Sequence, residues 1–129
     1  MKREWVSPLF VIASVYDVVL GLIYGVAFKP IYTRFGVGLP NHDAYVQLPA
    51  ALILVFGIGF WFVARAPERN RDVIKLGVLM KAAFCAVVFG HYFLASMPGM
   101  WIPFAAIDLL FGIAFLLALR TVPAPAARA

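Results

Sequence analysis

The sequence contains few charged residues and only one cysteine. Charged residues make up 13% of its 129 residues and hydrophobic residues make up 64%. A soluble domain is typically about 25% charged and about 45–50% apolar. The single cysteine, Cys85, excludes an internal disulfide and any paired-cysteine redox or zinc motif. The composition and length therefore indicate one membrane domain over residues 1–129.

Motifs for soluble catalysis and for nucleic-acid binding are also missing. We find no Ser-His-Asp arrangement and no phosphate-binding glycine loop. The neighbours His42 and Asp43 lack a further metal ligand and are typical of a turn before a helix. The net charge of +5 is interpreted through membrane topology rather than nucleic-acid binding. We assign no metal, no cofactor and no catalytic residue from these patterns.

Long apolar runs, by contrast, are abundant. A transmembrane helix needs roughly 20 mostly apolar residues. Backbone groups in lipid must be hydrogen-bonded within their own segment, which favours helices. Short second and third connections make the later helices antiparallel neighbours, so the predicted fold class is an all-α, integral membrane four-helix bundle. The predicted spans are 9–28, 46–64, 75–96 and 101–119.

The basic residues are distributed unequally between the two sides of this bundle. Lysines and arginines near membrane ends favour the cytoplasm. The side opposite to the termini has only Lys29 and Arg34. The sequence therefore predicts cytoplasmic N and C termini and a multi-pass protein of the cell inner (plasma) membrane. The side with both termini has Lys2, Arg3, Arg65, Arg69, Arg71, Lys75, Arg120 and Arg128.

Four ionisable residues lie inside the predicted spans: Asp17, Lys81, His91 and Asp108. A charge at mid-bilayer costs at least about 2.5–3.5 kcal/mol, so such groups normally face the bundle interior and pair. Counting the helical rise from the span ends predicts two pairs, Asp17 with Lys81 in the cytoplasmic half and His91 with Asp108 in the outer half. The cluster is open to two interpretations, polar contacts between helices or a functional pocket.

Glycines accompany these charges. Gly21, Gly77 and Gly112 each lie four residues from an intramembrane charge, and therefore on the same helix face. Gly21 also forms a GxxxG spacing with Gly25, a pattern that allows close helix approach. The pattern predicts tight helix contacts around the charges, or a small cavity between helices.

The layout resembles the DoxX-like group of small bacterial membrane proteins. The resemblance rests on the four short spans, on the face shared by Asp17 and Gly21, and on the segment FGIGFWFVARAPERNRDVIKLGVLMKAA, residues 56–83. The group takes its name from a quinone-linked sulfur oxidoreductase subunit. The resemblance implies a four-helix membrane fold and supplies no catalytic residue.

Three functions fit these observations. The first is binding of a lipid, quinone or other hydrophobic molecule, or of a partner subunit or second copy, through the buried polar cluster. The second is a membrane-embedded isomerase-like or oxidoreductase-like enzyme, with Asp17 and Asp108 as acid/base candidates. The third is a small proton-coupled exporter. The unequal distribution of basic residues argues against an exporter that inserts in both orientations, and it leaves open one that inserts in a single orientation.

Overall fold

The computed structural model describes residues 4–125, and this part of the chain is helical with no strand. Two short 3₁₀ turns, Pro67–Asn70 and Gly99–Trp101, connect the later helices. All four α-helices are long and apolar enough to cross a membrane, which is the architecture of a multi-pass membrane protein. The helices are α1 Val6–Arg34, α2 Ala44–Arg65, α3 Arg71–Leu94 and α4 Ile102–Thr121.

Successive helices run antiparallel and form an up-down-up-down bundle. The tightest contact joins α1 to α2, where two glycines allow the backbones to approach. A Cβ added at Gly21 would lie 2.7 Å from the carbonyl oxygen of Ala50, and one at Gly57 would lie 2.8 Å from the backbone nitrogen of Val18. Small residues at such a crossing permit the van der Waals packing that drives helix association in lipid.

The first helix is longer than the sequence predicted, and it is kinked. It continues to Arg34, so the first connection covers residues 35–43 rather than 29–45. The backbone leaves helical geometry at Ala27 (φ −122°, ψ 25°), three residues before Pro30. Proline removes one helix hydrogen bond and clashes with the preceding turn, which accounts for a kink here. Near the kink, Gln47 of α2 donates from Nε2 to the carbonyl oxygen of Gly25 at 3.3 Å.

Two polar side chains hold the helix ends that lie beside the chain termini. Asn70 donates from Nδ2 to two carbonyls at the end of α2, at 3.0 and 2.9 Å. Arg71, the first residue of α3, donates from Nη1 to the carbonyls of Leu119, at 2.9 Å, and Val122. The last carbonyls of a helix lack partners within the helix, so these contacts close the ends of α2 and α4.

The interior has an aromatic layer at each end and a polar layer between them. Near the chain termini, Phe10, Phe60 and Phe115 pack with ring centroids 4.5–5.9 Å apart. Outside the bundle, large apolar side chains such as Leu110 are exposed, as expected for a surface that faces lipid. The aromatic layer at the opposite end contains Tyr24, Phe28, Tyr32, Trp101 and Phe104.

The orientation of the bundle remains a prediction. Lys2, Arg3 and Arg128, on which part of that prediction rests, lie outside the described residues.

Candidate functional site

The polar layer is a single cluster of three charged side chains centred on Lys81. The Lys81 Nζ lies 3.0 and 3.1 Å from the two carboxylate oxygens of Asp17, and 2.9 Å from Oδ1 of Asp108. An ammonium group has three N–H donors, and these three contacts can use all of them. The pairing of Asp17 with Lys81 that the sequence predicted is confirmed, and Asp108 joins it.

Aromatic rings complete the surroundings of the ammonium group. The Lys81 Nζ lies 5.6 Å from the ring centroid of Tyr16, 5.8 Å from that of Phe60 and 5.3 Å from that of Phe111. Aromatic faces within about 6 Å of a cation attract it electrostatically. The ammonium group therefore has carboxylates on two sides and aromatic rings around it.

The glycines beside the charges bring the helices together at this layer. Gly77 packs under the ring of Phe60, where an added Cβ would lie 2.7 Å from the ring. A Cβ at Gly112 would lie 3.5 Å from the Lys81 Cβ, so α4 passes close to the base of the lysine side chain. The Cys85 Sγ donates to the carbonyl oxygen of Ala105 at 3.2 Å and contributes to the register of α3 against α4.

The predicted pairing of His91 with Asp108 is wrong. The side chain of Asp108 contacts Lys81, whereas His91 is exposed near the end of α3. The antiparallel register that places Cys85 opposite Ala105 puts Asp108 beside Lys81, and it puts His91 level with Gly99, before α4 begins. His91 is also about 80° around the helix from Lys81, so it points to a different side.

A groove between α3 and α4 reaches the cluster from the outside of the bundle. Its volume is about 130 Å³. The side chain of Asp108 keeps 10% of its exposure, against 2% for Lys81 and 1% for Asp17. Asp108 is therefore the cluster residue that a molecule in the groove meets first. The groove is lined by Val78, Lys81, Ala82, Cys85, Asp108, Leu109, Gly112, Ile113 and Leu116.

A larger cavity of about 270 Å³ lies on the other side of the polar layer, away from the chain termini. Three of its lining residues, Leu20, Phe84 and Phe104, lie three or four positions from the three charged residues. The cavity therefore begins about one helical turn from the cluster. Its remaining lining residues are Tyr24, Tyr32, Tyr45, Val46, Pro49, Ala50, Ile53 and Trp101.

Tyr16 and Cys85 are parts of the site that were not predicted from the sequence. Their positions in the sequence could have indicated this, since Tyr16 directly precedes Asp17 and Cys85 lies four residues after Lys81, on the same helix face. The Tyr16 hydroxyl is buried and has no hydrogen-bond partner within residues 4–125. Over the same residues, no group of three or more His, Cys, Asp or Glu side chains is arranged to hold a metal ion.

Comparisons with protein-family models, with curated proteins and with solved structures found no match for this chain. The resemblance to the DoxX-like group stays a prediction.

Proposed function

We propose that this protein binds a hydrophobic small molecule in the groove between α3 and α4, with the polar group of that molecule at Asp108 and Lys81. One observation carries the proposal: a groove with apolar walls leads from the outer surface of the bundle to a buried charged cluster. Its walls include Leu109, Ile113 and Leu116, which are 49%, 50% and 47% exposed. A hydrocarbon chain fits such walls, since apolar contacts line most ligand sites and a few polar groups fix orientation.

The depth of the cluster restricts the kind of ligand. Lys81 lies ten residues into α3, which corresponds to roughly 15 Å along the helix. A polar group held at this depth belongs to a molecule that itself dissolves in the bilayer core. Isoprenoid lipids and quinones have this character, whereas a phospholipid head group stays at the interface. We also propose that the protein lies in the cell inner membrane with cytoplasmic termini, because its lysines and arginines are concentrated on the side of the bundle that has both termini.

Mass spectrometry of a lipid extract from the purified protein tests the binding. Ala82 and Ala83 are adjacent exposed residues of α3, and only Ala82 lines the groove. We expect the wild-type protein and Ala83→Trp to retain the same isoprenoid or quinone, and Ala82→Trp to lose it because the indole fills the groove. Equal lipid profiles in all three proteins would refute the proposal.

The orientation is tested separately with single cysteines in a Cys85→Ala background. Gly38 lies in the first connection and Arg69 in the second. With cytoplasmic termini, a membrane-impermeant maleimide added to intact spheroplasts should label Gly38→Cys and leave Arg69→Cys unlabelled until the cells are lysed. The reverse pattern would show that the bundle is inserted the other way round.

If the bound molecule is also a substrate, the structure favours Asp108 over Asp17 as the acid/base group. Asp17 is 1% exposed and both of its carboxylate oxygens contact Lys81. Asp108 contacts Lys81 through one oxygen and lines the groove. Asp108→Asn should then retain the bound lipid while conversion of that lipid stops, and continued conversion would exclude Asp108 from catalysis.

A further inference from the structure

We propose that Asp108 carries a proton at neutral pH, and that the groove selects an uncharged ligand with a hydrogen-bond-accepting oxygen, such as a ketone or quinone carbonyl. The protonation of Asp108 is inferred from the charges and hydrogen bonds of the cluster alone. The ligand class rests on the proposed function, since it assumes that the groove is occupied.

The charge count of the cluster is the first argument. Two carboxylates, Asp17 and Asp108, surround one ammonium group, so the ionised cluster has a net charge of −1. The other titratable groups beside it are Tyr16 of α1 and Cys85 of α3, and neither provides a positive charge. An uncompensated charge in the bilayer core is expensive, and one bound proton removes it.

Helix α2 does not change this count. It faces the cluster with Phe60, and its own titratable residues, Tyr45 and Arg65, lie at its two ends. On α3, the remaining basic and histidine side chains lie in its first two turns and at exposed His91. On α1 and α4, the basic residues Lys29, Arg34 and Arg120 are at least 12 positions along the helix from the carboxylates. Among the described residues, Lys81 is therefore the cation available to balance both carboxylates.

The geometry selects Asp108 as the residue that holds the proton. Asp17 accepts from the Lys81 ammonium with both oxygens, an arrangement that suits an ionised carboxylate. Asp108 accepts from it with Oδ1 only, so Oδ2 is available to carry hydrogen. A protonated carboxylic acid is a hydrogen-bond donor. Because Asp108 lines the groove, that donor would point to a ligand that accepts a hydrogen bond.

A hydrophobic carbodiimide tests the protonation without any ligand. Dicyclohexylcarbodiimide dissolves in lipid and modifies protonated carboxylic acids, and peptide mass spectrometry locates the product. In wild-type membranes at neutral pH we expect modification of Asp108, declining as the pH is raised, and none of Asp17. The exposed Asp72, which pairs with Lys75 at 2.8 Å on the surface, should stay unmodified at neutral pH and is the control for an ionised carboxylate.

The variant Asp17→Asn distinguishes charge balance from simple accessibility. With one carboxylate removed, Lys81 and Asp108 form a neutral ion pair, so we expect Asp108 to lose its reactivity while it remains in the groove. Persistent modification in folded Asp17→Asn would overturn the charge-balance argument. An unmodified Asp108 in the wild-type protein, or modification at Asp17, would overturn the assignment directly, whether or not Asp17→Asn folds.

Two probes with the same hydrocarbon chain test the ligand class. Farnesylacetone has a ketone and farnesylamine has an ammonium group at neutral pH. A neutral Asp108 predicts at least tenfold tighter binding of the ketone, measured by displacement of the retained lipid from the wild-type protein. Tighter binding of the amine would contradict a protonated Asp108. Failure of both probes to displace the lipid would reject the ligand class. The carbodiimide experiment would still test the protonation of Asp108, because it needs no ligand.

Discussion

The Lys81 ammonium lies within hydrogen-bond distance of both carboxylate oxygens of Asp17, at 3.0 and 3.1 Å, although the two residues are 64 positions apart in the chain. This contact joins the first and third helices through the centre of the bundle. Both side chains are at most 2% exposed, so the pair is shielded from solvent and from lipid. Its removal should therefore affect the whole fold.

Lys81→Met should destabilise the protein strongly, because it keeps the length of the side chain and removes its charge. Breaking a buried ion pair by removing one partner typically costs about 3–5 kcal/mol. Lys75→Met is the matched control, since Lys75 pairs with Asp72 at 2.8 Å on the exposed surface and such pairs contribute about 0–1 kcal/mol. Unfolding in detergent measures both, and equal stability of the two variants would show that the cluster contributes little.

Gly21→Ala and Gly25→Ala should have opposite consequences, although the two glycines belong to one GxxxG pattern. A Cβ at Gly21 would lie 2.7 Å from the Ala50 carbonyl oxygen, so the backbones of α1 and α2 must separate, at a cost of about 1–3 kcal/mol. A Cβ at Gly25 would lie 3.9 Å from its nearest neighbour on α2, the Ala50 Cβ, and alanine is a better helix former than glycine. Equal losses of thermal stability would contradict the described crossing.

Arg71→Ala should weaken the end of α4, because Arg71 binds the carbonyls of Leu119 and Val122. Hydrogen bonds to charged groups contribute about 1.5–3 kcal/mol, and the partial exposure of this site favours the lower end. Arg69→Ala is the control, since Arg69 is exposed two positions earlier. The midpoint of thermal unfolding should fall for Arg71→Ala alone, and a similar fall for Arg69→Ala would indicate a general effect of charge.

His91→Ala should leave stability and lipid retention unchanged, within about 0.5 kcal/mol of the wild-type value, as for most surface substitutions. The reason is that His91 is exposed and Asp108 already contacts Lys81. A loss comparable to that of Lys81→Met would support the pairing of His91 with Asp108 that the sequence predicted.

The four helices could be predicted because each apolar run is long enough to cross a bilayer, and the length and composition of a run can be read from the local sequence. The contact of Asp17 with Lys81 followed from depth alone. The position of Asp108 did not, because it depends on the register of α3 against α4, to which Cys85 and Ala105 contribute. A depth count from the span ends carries no information on which side of its helix His91 lies.

The end of α1 could not be predicted from the sequence, for a different reason. The predicted spans 9–28 and 46–64 put Pro30 in the first connection, yet the helix continues past it. A proline kinks or ends a helix according to whether neighbouring groups compensate for the disturbed turn. Here Gln47 of another helix binds the carbonyl of Gly25 near the kink, a long-range contact that local sequence does not encode.

Native mass spectrometry of the intact protein, released from detergent, tests the central claim most directly. If the groove between α3 and α4 is the binding site, wild-type protein and Ala83→Trp should each carry one added lipid mass per chain, and Ala82→Trp should carry none. An added mass that persists in Ala82→Trp at the wild-type proportion would contradict a ligand seated in the groove against Asp108.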